Sequence, residues 1–424
     1  MAALAMDGTY QYDGSAFWPI VLLLGYLLSF FLGYYSVKKG SVVFVKKHST
    51  AKIKQIAVFL LFFGIIGVFI ELYIGVFITE IYSSTNTFAK RLELFGSENN
   101  SGVLGLISSP LYPMAFISLL IVIYHYKMFS SLFKFTTAIF GMFGLVKIFF
   151  VGGRTTIVFL GAIIFFVLLK TYIENNKRGF LRIKFFSQKL FLIPKELTKR
   201  KVYIPAAIIL VTFTLYSINL INSRVGYYGY GHAVLSLWET KDYQWIKMDE
   251  SFKYEYYNAD EEQKATLLGW YSLKHYFAHS VFEYIRLVNS ISPYGYYFGQ
   301  YEFNVPFKFF RFLGVPFQSF SELNSIVKRQ AVYNTFFGPF FIDFGVFGLL
   351  ILHIAGREVR KVFIRAQSGS IPHIILYSFM SLLFLSSFFL NFLMGASFYY
   401  LSGIIFTMFM FKFYPDNLKF ILKP

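Results

Sequence analysis

The sequence predicts an all-α, polytopic integral membrane protein: about nine or more transmembrane helices and one large extracytoplasmic loop that contains helices of its own. Three observations carry this expectation. Hydrophobic residues make up 56% of the 424 positions and charged residues 15%, with a mean hydropathy of +0.55, whereas a soluble chain of this length needs far more polar surface. Several apolar runs reach about 20 residues, enough for a helix to cross a hydrocarbon core of roughly 30 Å. The basic residues gather in alternate connections, the charge pattern that orients membrane proteins. A transmembrane β-barrel would instead show ~10-residue alternating segments. Cysteine is absent, which excludes disulfide and thiolate chemistry. No basic residue precedes the first apolar run, a poor fit to a cleaved signal peptide.

Nine runs qualify as spans: 16–36, 55–79, 104–125, 134–152, 155–173, 202–221, 336–356, 372–390 and 395–413. They divide the chain into N-terminal membrane helices over 1–221, a loop over 222–335, and C-terminal membrane helices over 336–424. The connections 37–54, 126–134, 170–201 and 357–368, with the tail from Lys412 onward, hold 25 Lys and Arg against four acidic residues. The rest of the chain holds 15 basic and 18 acidic residues. This places the basic connections and the C-terminus in the cytoplasm, and the N-terminus and the 222–335 loop outside. The net charge of +18 is therefore a topology signal, not a nucleic-acid footprint. Within the inner connections, 174–201 mixes bases with Phe, Leu and Ile and reads as an amphipathic stretch on the membrane surface.

The outer loop is balanced, with 11 basic and 11 acidic residues, and too aromatic to be disordered. Its start, Asn222 to His232, is rich in Gly and Tyr. About 263–290 reads as helix, because Leu267, Tyr271, Leu273, Phe277 and Val281 recur at helical spacing. The stretch from Asn304 onward, with Pro306 and Pro316, reads as irregular.

Three constellations can carry chemistry. The first is at the outer membrane boundary. Gly152-Gly153-Arg154 forms a tight turn between two spans, and Arg224 follows a third. Arginine makes planar, bidentate hydrogen bonds to phosphate and keeps its charge, so two of them at one face suit a diphosphate. The plainer reading is an anchor on ordinary lipid phosphates. Lys147 lies about two turns below Arg154 in apolar sequence, where ionisable groups are rare and often functional. The second is a seam on the loop helix: His275, His279 and Glu283 at i, i+4 and i+8, with Arg286 three further on. A histidine there can act as a general base near neutral pH, and Glu283 is the reserve. Positions i and i+8 lie about 12 Å apart along a helix, too far to share one metal ion. The plainer reading is a wetted helix face. The third is Val327 to Ile351, with Arg329, Tyr333 and Asn334 leading into Asp343-Phe344-Gly345. No glycine-rich loop or soluble lobe accompanies this DFG, which excludes a kinase. Gly338, Gly345 and Gly348 suit close helix packing. Asp343, about two turns into its span, needs a partner, which Lys147 or Arg154 can supply.

At this third stretch the chain resembles the bacterial O-antigen polymerase and ligase superfamily, and most closely the Wzy-type oligosaccharide repeat-unit polymerases. The resemblance rests on Asn334-Thr335-Phe336, on Asp343-Phe344-Gly345-Val346-Phe347-Gly348, on the Gly152-Gly153-Arg154 turn, and on the architecture of many spans with one late outer loop. Tyr333 stands where the ligase branch has His. The resemblance implies a GT-C-like fold in the bacterial inner membrane, with an active site facing the periplasm. It implies block transfer of a glycan from undecaprenyl diphosphate to a new lipid-linked repeat unit. Arg154 and Arg224, with Lys147, Arg286 and Arg329, would meet the diphosphate or the substrate. His279 or His275 would be the base, with Glu283 or Asp343 behind them. Tyr227, Tyr228 and Tyr230 would stack on sugars, unless they serve as an interfacial aromatic belt. No outward Asp-rich motif suggests Mg²⁺, so the expected reaction uses no metal and no cofactor. Expected partners are the lipid-linked oligosaccharides, membrane lipids, a chain-length regulator and a flippase. The competing expectations are an O-antigen ligase and a flippase or exporter of lipid-linked glycans. An exporter is expected to show repeated halves, and the sequence has none.

Overall fold

The computed structural model describes residues 15–38, 40, 48–82, 102–151, 155–176, 180–185, 188–194, 250–291, 297–319, 322–323, 335–388 and 390–414. Thirteen α-helices occur among them. The first six are α1 (Phe17–Ser36), α2 (Thr50–Tyr73, continued by a π-turn over Ile74–Ile78), α3 (Gly102–Tyr124), α4 (Ser131–Gly141), α5 (Phe143–Val151) and α6 (Thr155–Asn176). The rest are α7 (Glu250–Asn258), α8 (Glu261–Ser290), α9 (Asn304–Phe312), α10 (Phe337–Phe344), α11 (Gly348–Gln367), α12 (Ile371–Ser386) and α13 (Ala396–Phe413). Among the described residues four stretches are long and apolar enough to cross a membrane: Phe17–Ser36, Thr50–Ile78, Gly102–Tyr124 and Phe337–Gln367. Shorter apolar helices cover Ile157–Thr171, Ile371–Ser386 and Ser397–Phe413. The expected span at 202–221 lies outside the described residues.

The chain departs from the expected spans in ways that matter for the site. The run expected as one helix over 134–152 is two, α4 and α5, with the join at Met142. Gly141 there presses against Leu119 and Ala115 of α3. The run expected over 336–356 is also broken. α10 ends at Phe344, Gly345 takes φ +48°, a 3₁₀ turn covers Gly345–Phe347, and α11 continues to Gln367. That φ is open to glycine at no steric cost. The stretch expected to be irregular after Asn304 forms α9. Part of the expected amphipathic stretch 174–201 is a hairpin, Phe180–Phe185 paired antiparallel with Gln188–Pro194.

Two helix pairs pack closely enough to exclude a side chain between them. A Cβ on Gly33 of α1 would meet the backbone of His353, and one on Gly356 of α11 would meet the backbone of Phe30. In the same way Gly64 and Gly67 of α2 lie against Ala115 and Tyr112 of α3. Where lipid is as apolar as leucine, this close contact of backbones holds helices together. Hydrogen bonds cross both seams, from Ser29 to the Leu349 carbonyl at 2.5 Å and from Ser118 to the Ala57 carbonyl at 2.8 Å. The main core gathers Ile117, Leu120, Phe159, Ile163, Phe379 and Tyr400. A second core joins α1, α8 and α10 through Leu22, Tyr26, Tyr284, Phe337 and Phe341. Outward faces stay apolar, with Leu24, Leu28 and Leu32 of α1 and Phe62 and Phe69 of α2 exposed. Such a belt suits hydrocarbon and not water.

The helices alternate, so their ends form two groups. At one end Asn289 of α8 bonds the Ser15 carbonyl before α1 (2.9 Å), and Ser280 of α8 bonds the Phe388 carbonyl after α12 (3.2 Å). There too the Phe336 amide bonds the Ser387 carbonyl (2.8 Å), and Lys147 of α5 pairs with Glu71 of α2. At the other end Arg360 of α11 stacks over the Tyr34 ring of α1, and His48 packs on Phe411 of α13.

Candidate functional site

The site is assembled at the first of these ends, where the polypeptide from 297 to 303 returns to the helices and lies over two breaks in them. One break is the α10–α11 join at Gly345. The other is the non-helical stretch between α12 and α13, which carries Asn391. Asp343, in the last turn of α10, is 1% exposed. Its carboxylate accepts the backbone N–H groups of Tyr301 (3.0 Å) and Glu302 (2.7 Å), and its own carbonyl accepts the Phe298 amide (3.2 Å). The expectation that Lys147 or Arg154 would partner Asp343 is corrected here for Lys147, and Arg154 lies outside the described residues. Backbone donors satisfy a buried carboxylate as a cation does, and helical periodicity cannot show which loop returns to supply them.

Glu302 is fully buried beside Asp343. Asn391 donates Nδ2 to Glu302 Oε2 at 2.7 Å, and the Asn391 side-chain oxygen in turn accepts the Leu393 amide at 2.9 Å. Among the described residues Glu302 Oε1 has no hydrogen-bond partner, nor has Nδ2 of Asn304 two residues on, and both atoms are buried. Burial pushes the Glu302 carboxyl well above the ordinary range, the Asn391 bond opposes this, and the Asp343 charge adds to it. Two adjacent carboxyl groups in unequal surroundings are the arrangement in which one holds a proton that the other does not. Burial and the neighbouring Asp343 charge thus both favour the protonated form of Glu302.

Folded Glu302 binds its proton at a higher pH than the unfolded chain does. Its contribution to stability is complete below the ordinary carboxyl range and is lost as pH rises through the raised value. Glu302→Gln keeps the Asn391 contact and removes the titration. The expected result is a melting temperature that falls less between about pH 5 and about pH 9, the interval above the ordinary Glu value. Thermal unfolding in detergent across that range checks it, and an unchanged slope would show that Glu302 does not titrate there.

A second polar group lies at the same end. Glu71, 6% exposed, pairs with Lys147 and accepts Ser108 Oγ at 2.8 Å. The Lys147 ammonium also sits 5.4 Å from the Tyr112 ring centre, and Tyr112 meets Tyr400 edge-on at 5.8 Å. An aromatic layer stands between the two groups: Phe303 against Phe398, and Phe159 against both Phe392 and Tyr400.

The α8 seam is partly described. The helix is unbroken over Glu261–Ser290, so positions 275, 279 and 283 recur along one face. The side chains of His275 and His279 lie outside the described residues. Glu283 is fully buried and accepts Arg286 Nε at 2.9 Å, while Nη2 of Arg286 is buried with no partner among the described residues. Glu283, the reserve base, is thus already engaged by Arg286. Arg154, Arg224, Tyr227, Tyr228, Tyr230, Arg329, Tyr333 and Asn334 lie outside the described residues. Val151 and Thr155, which bracket Gly152-Gly153-Arg154 in the sequence, belong to α5 and α6 at the end where Lys147 meets Glu71.

No protein-family model, curated protein or solved structure matches this chain. The reading of the site rests on its own residues.

Sequence reasoning missed Glu71, Glu302, Asn304 and Asn391. Glu71 was within reach, since it is the one acidic residue in the apolar stretch Thr50–Ile78, and a lone ionisable group in such a run marks a functional or paired position. Glu302 carries no such signal, because it is one of 11 acidic residues in a charge-balanced loop. Among the described residues no cluster of three or more His, Cys, Asp or Glu side chains is arranged to hold a metal ion.

Proposed function

We propose that this protein polymerises lipid-linked oligosaccharide repeat units at the outer face of the bacterial inner membrane, as a Wzy-type glycosyltransferase. The observation that carries this reading is the Glu302–Asp343–Asn391 junction. A fully buried carboxyl and an amide without a partner among the described residues lie where residues 297–303 return to the membrane helices, at the end that also holds Lys147 and the helix ends bracketing Arg154. Transfer between two lipid diphosphates needs these parts at one membrane face: positive charge for the departing diphosphate and a proton acceptor for the attacking hydroxyl. In this reading Arg154 and Arg224 hold the diphosphate, His279 or His275 is the base, and Glu302 joins them as a group able to exchange a proton. The basic connections lie in the cytoplasm. The lipid-linked glycans are the substrates, with a chain-length regulator and a flippase as neighbours.

The glycan ladder of a deletion strain tests the reading. A ladder reduced to a single repeat unit is the expected result. Free polymer that is never attached identifies a ligase instead, and the absence of any outward glycan identifies a flippase or exporter. Complementation with variants tests the residues. Arg154→Lys, which keeps the charge and loses the planar fork, is expected to lose most polymer while still inserting, and His279→Ala is expected to abolish it while Lys274→Ala does not. Near-normal chain length with Arg154→Lys would make Arg154 a lipid anchor.

A further inference from the structure

α9 presents an apolar face that nothing among the described residues covers. Phe309, Phe310, Phe312 and Leu313 are 51%, 45%, 54% and 60% exposed. At 100° per residue they fall on one broad arc of the helix. The opposite side is tied down. Arg311 donates to the Gln318 carbonyl at 2.6 Å and to Asn304 Oδ1 at 3.3 Å, and Phe307 packs edge-on against Phe317 at 4.7 Å. Gly314, at φ +86°, turns the chain back to make these contacts. The exposed rings are therefore presented outward by a strap that holds the other face, and they are not the residue of a loose end.

The place of this face in the fold identifies its occupant. α9 begins two residues after Glu302, whose amide is bonded to Asp343 at the end of α10. Phe303, just before α9, lies against Phe398 in the first turns of α13. α9 thus sits at the level where the apolar helices end, beside a bundle whose own exposed side chains there, Phe347 (62%) and Leu350 (64%), are apolar. Exposed Lys308 adjoins the aromatic arc, and this mixture of aromatic side chains with flanking basic groups suits the boundary between hydrocarbon and anionic headgroups. Burying these large side chains in hydrocarbon is favoured over leaving them in water.

We propose that α9 is an interfacial helix, lying in the plane of the outer membrane surface with Phe309, Phe310, Phe312 and Leu313 among the lipids and Lys308 at the headgroups. It fixes the depth of Glu302 and Asn304, holding the loop junction at the membrane surface. The inference depends on the membrane location of the bundle and not on glycosyl transfer.

The cysteine-free chain makes the test direct. Phe310→Cys and Leu313→Cys, each spin-labelled, are reconstituted in bilayers of phosphatidylethanolamine and phosphatidylglycerol, with Glu255→Cys on α7 as the aqueous reference. Collision rates with molecular oxygen and with a water-soluble nickel chelate are measured. The expected result is a ratio of oxygen to nickel collisions several-fold higher at 310 and 313 than at 255. Nickel access at 310 and 313 equal to that at 255 would overturn the proposal by showing a wet face. Protection from both reagents would overturn it equally, because a protein surface and not lipid would then cover α9. The readout is independent of polymer synthesis, so its failure and a failure of the proposed activity are distinguishable.

Discussion

Asp343→Ala is expected to detach the 297–303 segment from the helix bundle. The carboxylate is the shared acceptor for the Tyr301 and Glu302 amides, and neither alanine nor water replaces it in so closed a place. Each buried donor left without a partner costs about 1–3 kcal/mol, and the two are lost together. Asp343→Asn keeps one carbonyl oxygen and turns the other position into a donor facing a donor, so it should fall between wild type and alanine. Proteolysis of the purified protein within 297–303, alongside its melting temperature in detergent, reads the effect. Resistance to cleavage in Asp343→Ala equal to that of wild type would mean that the hydrophobic contacts of Tyr301 with Leu287, Leu323 and Ile342 hold the segment by themselves.

The second large effect is expected at the Glu71–Lys147 pair. Lys147→Met takes away the ion-pair partner of Glu71, which is 6% exposed and among the described residues keeps only the Ser108 hydrogen bond. Breaking a buried pair from one side costs on the order of 3–5 kcal/mol, and the cost here falls toward the lower figure because Lys147 is about a third exposed. Replacing both partners, Glu71→Leu with Lys147→Met, removes the uncompensated charge and should recover most of the stability. Melting temperatures of the two single variants and the double variant form the cycle. Recovery of stability with polymer still absent would give Lys147 a role at the substrate, whereas recovery of both would make the pair structural. A double variant no more stable than Lys147→Met would show that the pair is not coupled.

Much of the architecture was legible because membrane helices announce themselves locally. A bilayer leaves backbone polar groups no solvent to bond, so a helix of about 20 apolar residues is the available answer, and eight of the nine expected segments coincide with helices among the described residues. The i, i+4 recurrence from Leu267 to Val281 predicted the loop helix within a few residues of Glu261–Ser290. Asp343 and Lys147 were singled out as ionisable groups in apolar sequence, and in the structure each has a polar partner.

What each of them is engaged with was decided by tertiary structure. Lys147 and Glu71 are 76 positions apart, and Asp343 and Glu302 are 41 apart, distances over which no periodicity carries information. The breaks at Met142 and Gly345 were invisible for a related reason. An apolar run specifies that it will leave water, while packing against Leu119 at one break and a backbone that reaches φ +48° at the other decide where it bends. α9 was concealed by Pro306, which suits the first turn of a helix as readily as a loop. By itself the sequence determined which segments form apolar helices, because that depends on the solvent preference of adjacent residues. It did not determine which polar groups meet inside, because that depends on how separate helices and a returning loop satisfy one another once water is gone.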